Sequence, residues 1–198
     1  MKNTENEYQT LLRQKEELIK QSGASYAAKV FELSEQEGAL KAYITELDEA
    51  IFAGRRVERA LSDAIAALEK AQNWATWDLF GGGTISDIAK HQKIDQAEAY
   101  LRQAQTNMRQ FQKELLDVKQ TALPEVNISG MLKFADFFFD GFISDYLVQG
   151  KINNSLDQTK HHYNHVGDIL TNLELQSERK RKKLEQIHHE KQVIVESL

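Results

Sequence analysis

The chain has no cysteine and one proline in 198 residues. Without thiols there is no disulfide framework, no thiolate zinc site and no cysteine nucleophile, and the composition suits a reducing compartment. Average usage would place about ten prolines in a chain of this length. Their scarcity disfavours loop-rich all-β folds and favours long, uninterrupted helices. Long apolar runs are also missing: no stretch free of Asp, Glu, Lys and Arg exceeds eight residues. A membrane-crossing helix needs roughly twenty, so no span is expected. The opening residues, MKNTENEYQT, lack a basic region followed by an apolar run, so no secretory signal is expected and the predicted location is cytoplasmic. A net charge of −5 supplies no global attraction for nucleic acid or an anionic membrane.

What the chain does have is heptad periodicity. Ala97, Leu101, Ala104, Met108, Phe111, Leu115, Val118 and Ala122 follow alternating steps of four and three with no charged residue among them. This run predicts a helix over 95–122, with Asp95 as its N-cap and Glu98 three residues on. A broader stripe, including Leu40, Ile44, Leu47, Ile51, Val57, Leu61, Ile65, Leu68 and Ala71, marks a helix that ends at 72 and packs against two neighbours. Gly54 lies on that stripe, either as a tolerated glycine or as a point of close helix approach. A third seam runs through Leu156, Thr159, Tyr163, Val166, Leu170 and Leu173, then continues through Ser177, Lys180, Leu184, Ile187 and Lys191. Its polar second half, like the thin stripe of Leu11, Leu12, Leu18 and Ile19, predicts loose terminal arms that pair with each other.

Two interruptions separate these seams. In the first, Trp74, Trp77 and Phe80 precede Gly81, Gly82 and Gly83, which a helix interior does not tolerate, and Thr84 with Asp87 resembles a new helix start. A glycine-rich loop before a helix can hold phosphate, but the G-x-x-x-x-G-K-[ST] spacing is absent, so a structural turn is the better reading. The second begins at Pro124. Its segment FADFFFDGFISDY places Phe134, Phe138 and Phe142 on one helical half, opposite Asp136 and Asp140, with Asp145 on the apolar side. The predicted fold is all-α: an elongated antiparallel helical bundle or coiled coil with short aromatic and glycine-rich interruptions. It is read as a single domain over 1–198, with an N-terminal arm at 1–24 and a helix at 25–72. An interruption at 73–94, a helix at 95–122, a connector with an aromatic amphipathic helix at 123–150 and a long helix at 151–198 follow.

Chemistry-bearing constellations are few. Asp136 with Asp140, and Glu46 with Glu49, share helical faces and could hold a hard cation, but helices this charged produce such pairs by chance. Carboxylate di-metal bundles draw a Glu-x-x-His pair from each of two helices, a set this chain does not supply. His161 and His165 are four apart, a chelating interval, yet with Tyr163 and Val166 in the seam they are expected to point to solvent. Arg179 to Lys183 is wholly basic, but across 174–198 six basic residues face five acidic ones, which argues against nucleic acid.

The segments NWATWDLFGGGTISDIAKHQKIDQA and FADFFFDGFISDYLVQGKI resemble signature segments of an uncharacterised family of bacterial coiled-coil proteins. The resemblance covers 73–155 and implies a cytosolic bacterial context. It transfers no catalytic residue. The expectation is therefore a structural or protein-interaction protein, not an enzyme, without cofactor or metal, bound to a protein partner or to a second copy. Trp74, Trp77, Phe80, Phe134, Phe138 and Phe142 are the candidate contact residues, because large aromatics are enriched in interface cores. Two alternatives are weaker: peripheral membrane binding through the Phe134–Tyr146 helix, whose polar face is acidic rather than basic, and a carboxylate metal-dependent enzyme.

Overall fold

The computed structural model of the chain describes residues 2–21, 26–78, 85–121, 130–133 and 152–197. All regular structure among these residues is helical, as the scarcity of proline implied, and no described helix is long and apolar enough to cross a membrane. Four long helices dominate: α1 (Lys2–Gln21), α2 (Ala27–Asp78), α3 (Ile85–Thr121) and α4 (Ile152–Glu196).

Their ends differ from the predicted ones in a consistent direction. Helix α2 runs past residue 72 to Asp78 and takes the backbone of Trp74 and Trp77 with it. Helix α3 starts at Ile85 rather than at Asp95, so Asp95 lies inside the helix and caps nothing. Neither extension contains glycine or proline, and loss of the apolar period alone does not end a helix. The N-terminal arm is likewise helical, as α1.

The chain divides into two compact units, one formed by Met1–Thr45 with Gln176–Leu198 and the other by Glu46–Leu175. Helices α2 and α4 contribute to both. In the Glu46–Leu175 unit the predicted α3 seam is the core: Ala97, Leu101, Ala104, Met108, Phe111, Leu115 and Val118 are all fully buried. Helix α2 runs antiparallel to α3, with Glu46 beside Glu114 and Asp117, and with the buried Asn107 donating from Nδ2 to the carbonyl of Arg56 at 3.1 Å. It is antiparallel to α4 as well, since Gly54 meets Leu170 and Glu69 pairs with Lys160 at 2.7 Å. The α2 side is rich in alanine, with Ala50, Ala53, Ala60, Ala64, Ala67 and Ala71 all buried, which lets the backbones come close. Gly54 is the tightest point. A Cβ there would lie 2.8 Å from Leu170 Cδ2 and 3.0 Å from Phe111 Cε2, so the glycine serves close approach.

In the terminal unit α1 folds back against the start of α2, and the end of α4 packs on both. One apolar cluster joins Ile19, Ala27, Val30 and Val195, and a second joins Leu33, Leu40 and Ile187. The predicted pairing of the two thin-seamed arms is thus observed.

Candidate interaction surface and polar sites

Two stripes run along α1. Leu12, Glu16 and Ile19 face α2 and α4, with Ile19 buried and Leu12 packed against the same cluster. Tyr8, Leu11 and Leu18 lie on the neighbouring stripe, whose steps of three and four are completed by Lys15. Leu11 is 63% exposed and Leu18 67%, so both side chains lie largely in solvent. Hence α1 carries an outer apolar edge about as rich as its inner one. Phe31 and Phe52, also exposed, stand singly on α2. Scattered apolar side chains of that kind are ordinary, whereas a run at helical spacing is a surface.

The inner stripe is interrupted by charge. Lys191 Nζ lies 3.2 Å from Glu16 Oε2 and also pairs with Glu37 Oε2. Lys20 Nζ closes on Glu16 Oε1 at 2.8 Å, Ser34 Oγ is 2.9 Å from the same oxygen, and Glu37 Oε1 receives Lys41 and, at 2.6 Å, His188 Nε2. Burial would raise the Glu37 carboxyl, but hydrogen bonds from Lys191, Lys41 and His188 outweigh it and hold the group down at about 2. Glu16 is lowered in the same way, burial being overcome by Lys20, Ser34 and Lys191. Ser34, Glu37 and Lys191 therefore occupy the level of the two apolar clusters with their polar atoms matched. A cleft of about 340 Å³ opens on this layer, lined by Leu12, Arg13, Glu16, Glu37, Lys191 and Gln192 among others. Its charges mostly satisfy one another, so it reads as a polar layer that fixes helix register rather than as a reaction centre.

Glu46 does meet other carboxylates, though not through its pairing with Glu49 alone. One oxygen each from Glu46, Glu114 and Asp117 lies within 4.8 Å of the others. Burial raises the Glu46 carboxyl, and Glu49, Asp117 and Glu114 raise it further. The group is already served from the protein: Gln110 donates to Glu114, and Lys113 lies 4.0 Å from Glu114 and 3.9 Å from Asp117. Lys113 and Gln110 offset part of the negative charge of Glu114 and Asp117, while the Glu46 carboxyl stays raised.

On α4, His161 is exposed as expected and His165 half-buried. The residue that turns inward is His162, 4% exposed, where Tyr163 was the predicted seam residue. The step from Thr159 to Val166 can be made through 162 as well as 163, and the apolar bias of the pattern favours the tyrosine. Burial, with His161 and His165 beside it, lowers His162 to about 4, so the ring is neutral at pH 7. The basic tract lies largely in solvent. Lys182 pairs with Glu178 on its own helix and Lys180 sits 5.8 Å over the Tyr43 ring, whereas the acidic groups of α1 bind Lys20 and Lys191 instead.

The predicted contact residues cannot be compared in this way. Trp74 and Trp77 lie in the last turns of α2 with side chains outside the described set, and Phe80, Phe134, Phe138 and Phe142 lie outside the described residues altogether, as do Asp136, Asp140 and Asp145. Set against protein-family models, curated proteins and solved structures, the chain matches none. Function must therefore be argued from the surfaces themselves.

Proposed function

We propose that this chain is a structural, protein-interaction protein, and that it binds another protein chain through the outer edge of α1. The observation that supports the reading is the exposure of Leu11 and Leu18 one heptad apart, on a helix whose inner stripe is already packed. A helix with two apolar edges is suited to lie between neighbours on both sides, which is how bundle helices bury a wide stripe. The aromatic residues Trp74, Trp77, Phe80, Phe134, Phe138 and Phe142 form a second set of contact positions, on the strength of residue type alone.

A photo-reactive residue placed at position 18 tests the reading, with position 35 on the exposed side of α2 as control. The expected result is a cross-linked species of defined mass from position 18, its partner identified by mass spectrometry and the complex rebuilt from purified components. Absence of any such product from positions 11 and 18 would overturn it. A product of twice the chain mass identifies the partner as a second copy.

A further inference from the structure

We infer that His161 and His165 form a binding site for a first-row transition cation of the imidazole-preferring kind, Cu²⁺, Ni²⁺ or Zn²⁺, on the exposed side of α4. Side chains four residues apart on a helix stand one above the other, and this interval lets two imidazoles reach one ion. The ring centroids of His161 and His165 are 6.5 Å apart with planes inclined at 49°. With the four-residue interval held by α4, rotation of both side chains about their own torsions would bring one nitrogen of each ring to a shared ion. The supporting helix is regular here, with Val166, Ile169 and Leu170 buried beneath it, so the backbone interval is set before the ion arrives.

His162 defines the limit of the site. It lies one residue on from His161, about 100° around the helix, with its ring centroid 5.8 Å from that of His161 and its side chain buried. It cannot join the other two as a ligand. Two imidazoles leave the remaining coordination positions to water, and the order of affinity should follow the intrinsic series, with Cu²⁺ above Ni²⁺ and Zn²⁺. Protons compete for the same nitrogen lone pairs, so binding weakens as pH falls. Because the pair is assembled only in the helical state, the ion also stabilises the fold.

Titration of untagged, full-length protein with each metal chloride, followed by calorimetry and thermal unfolding, tests the site. The expected outcome is one ion per chain, a raised midpoint, and at least a tenfold loss of affinity in His161→Asn and in His165→Asn. The variants His188→Asn and His189→Asn should bind as the native chain does. Copper bound to the native chain should show nitrogen hyperfine structure in its paramagnetic resonance spectrum, which either single variant simplifies. Binding that survives His161→Asn/His165→Asn unchanged, or that appears only at millimolar metal, would overturn the inference.

Discussion

Two glycines on α2 show how far a single residue's meaning depends on what faces it. At Gly38 an added Cβ would have nothing within 4 Å, whereas at Gly54 it would press on Leu170 and Phe111, both fully buried. Alanine is favoured over glycine in a helix by about 1 kcal/mol, and overpacking a filled core costs about 1–3 kcal/mol. Gly38→Ala should therefore raise the urea midpoint, by roughly 0.5–1 kcal/mol in stability, and Gly54→Ala should lower it by about 1 kcal/mol. The sequence offers both as glycines within one helix and cannot rank them, because the distinction lies in Leu170, 116 positions beyond Gly54. His162 is a parallel case. Its folded-state value of about 4 lies below the ordinary 6.5, so between these limits the unfolded chain binds more protons. Stability should climb as pH rises from 4 to 6.5 and then level, by up to about 3 kcal/mol. Urea unfolding across that range should show the slope in the native chain and lose it in His162→Leu.

At the level of the helix, the polar residues in the α1–α2–α4 contacts decide register where apolar seams are thin. Leucine and isoleucine at heptad spacing tolerate a slip of one heptad, but Lys191 between Glu16 and Glu37 does not. Glu37→Gln would leave Lys41 without its charge partner and Lys191 with Glu16 alone, and should destabilise by roughly 1.5–3 kcal/mol at pH 7, read from denaturant midpoints. Acid should reproduce the effect. The Glu37 carboxyl titrates at about 2 when folded against 4.5 when free, so its contribution is complete above 4.5 and is lost as pH falls toward 2. Seam composition made the helices legible: every predicted seam residue of α3 from Ala97 to Val118 is buried, and Asn107 and Glu114 join that face. Helix ends were less so. Apolar periodicity reports which face of a helix is covered and not where its backbone stops, and α2 runs on to Asp78 and α3 begins at Ile85. Of the ionic layer, the third seam showed only Lys191, one of its polar exceptions. Its acidic half, Glu16 and Glu37, sits on other helices, and no local pattern connects them.

For the whole molecule, the two units differ in what holds them. The Glu46–Leu175 unit is built on the long apolar seam of α3 and holds the buried His162, and the terminal unit contains two apolar clusters and the Glu16, Glu37 and Lys191 layer. Their acid responses should therefore fall in different windows. Between pH 6.5 and 4 His162, in the first unit, takes up a proton on unfolding, and below 4.5 Glu37 does so in the second, with Glu16 shifted in the same direction. Hydrogen exchange, expressed as protection relative to free peptide, can separate the two. Amides of Leu101, Met108 and Leu170 should lose protection in the upper window, and those of Ile19, Leu33 and Ile187 should hold until the lower one. Continuous helices work against this separation, because α2 and α4 carry backbone hydrogen bonds through both units. If all six amides lose protection together at every pH, the helices enforce one cooperative transition and the local carboxylate and imidazole act on a single shared stability. If the windows part, α1 is held mainly by the ionic layer and its release follows Glu37, not His162. In that case the outer edge of α1 and the surface it covers become available at different acidities, and a partner bound at Leu11 and Leu18 should protect Ile19 in the lower window.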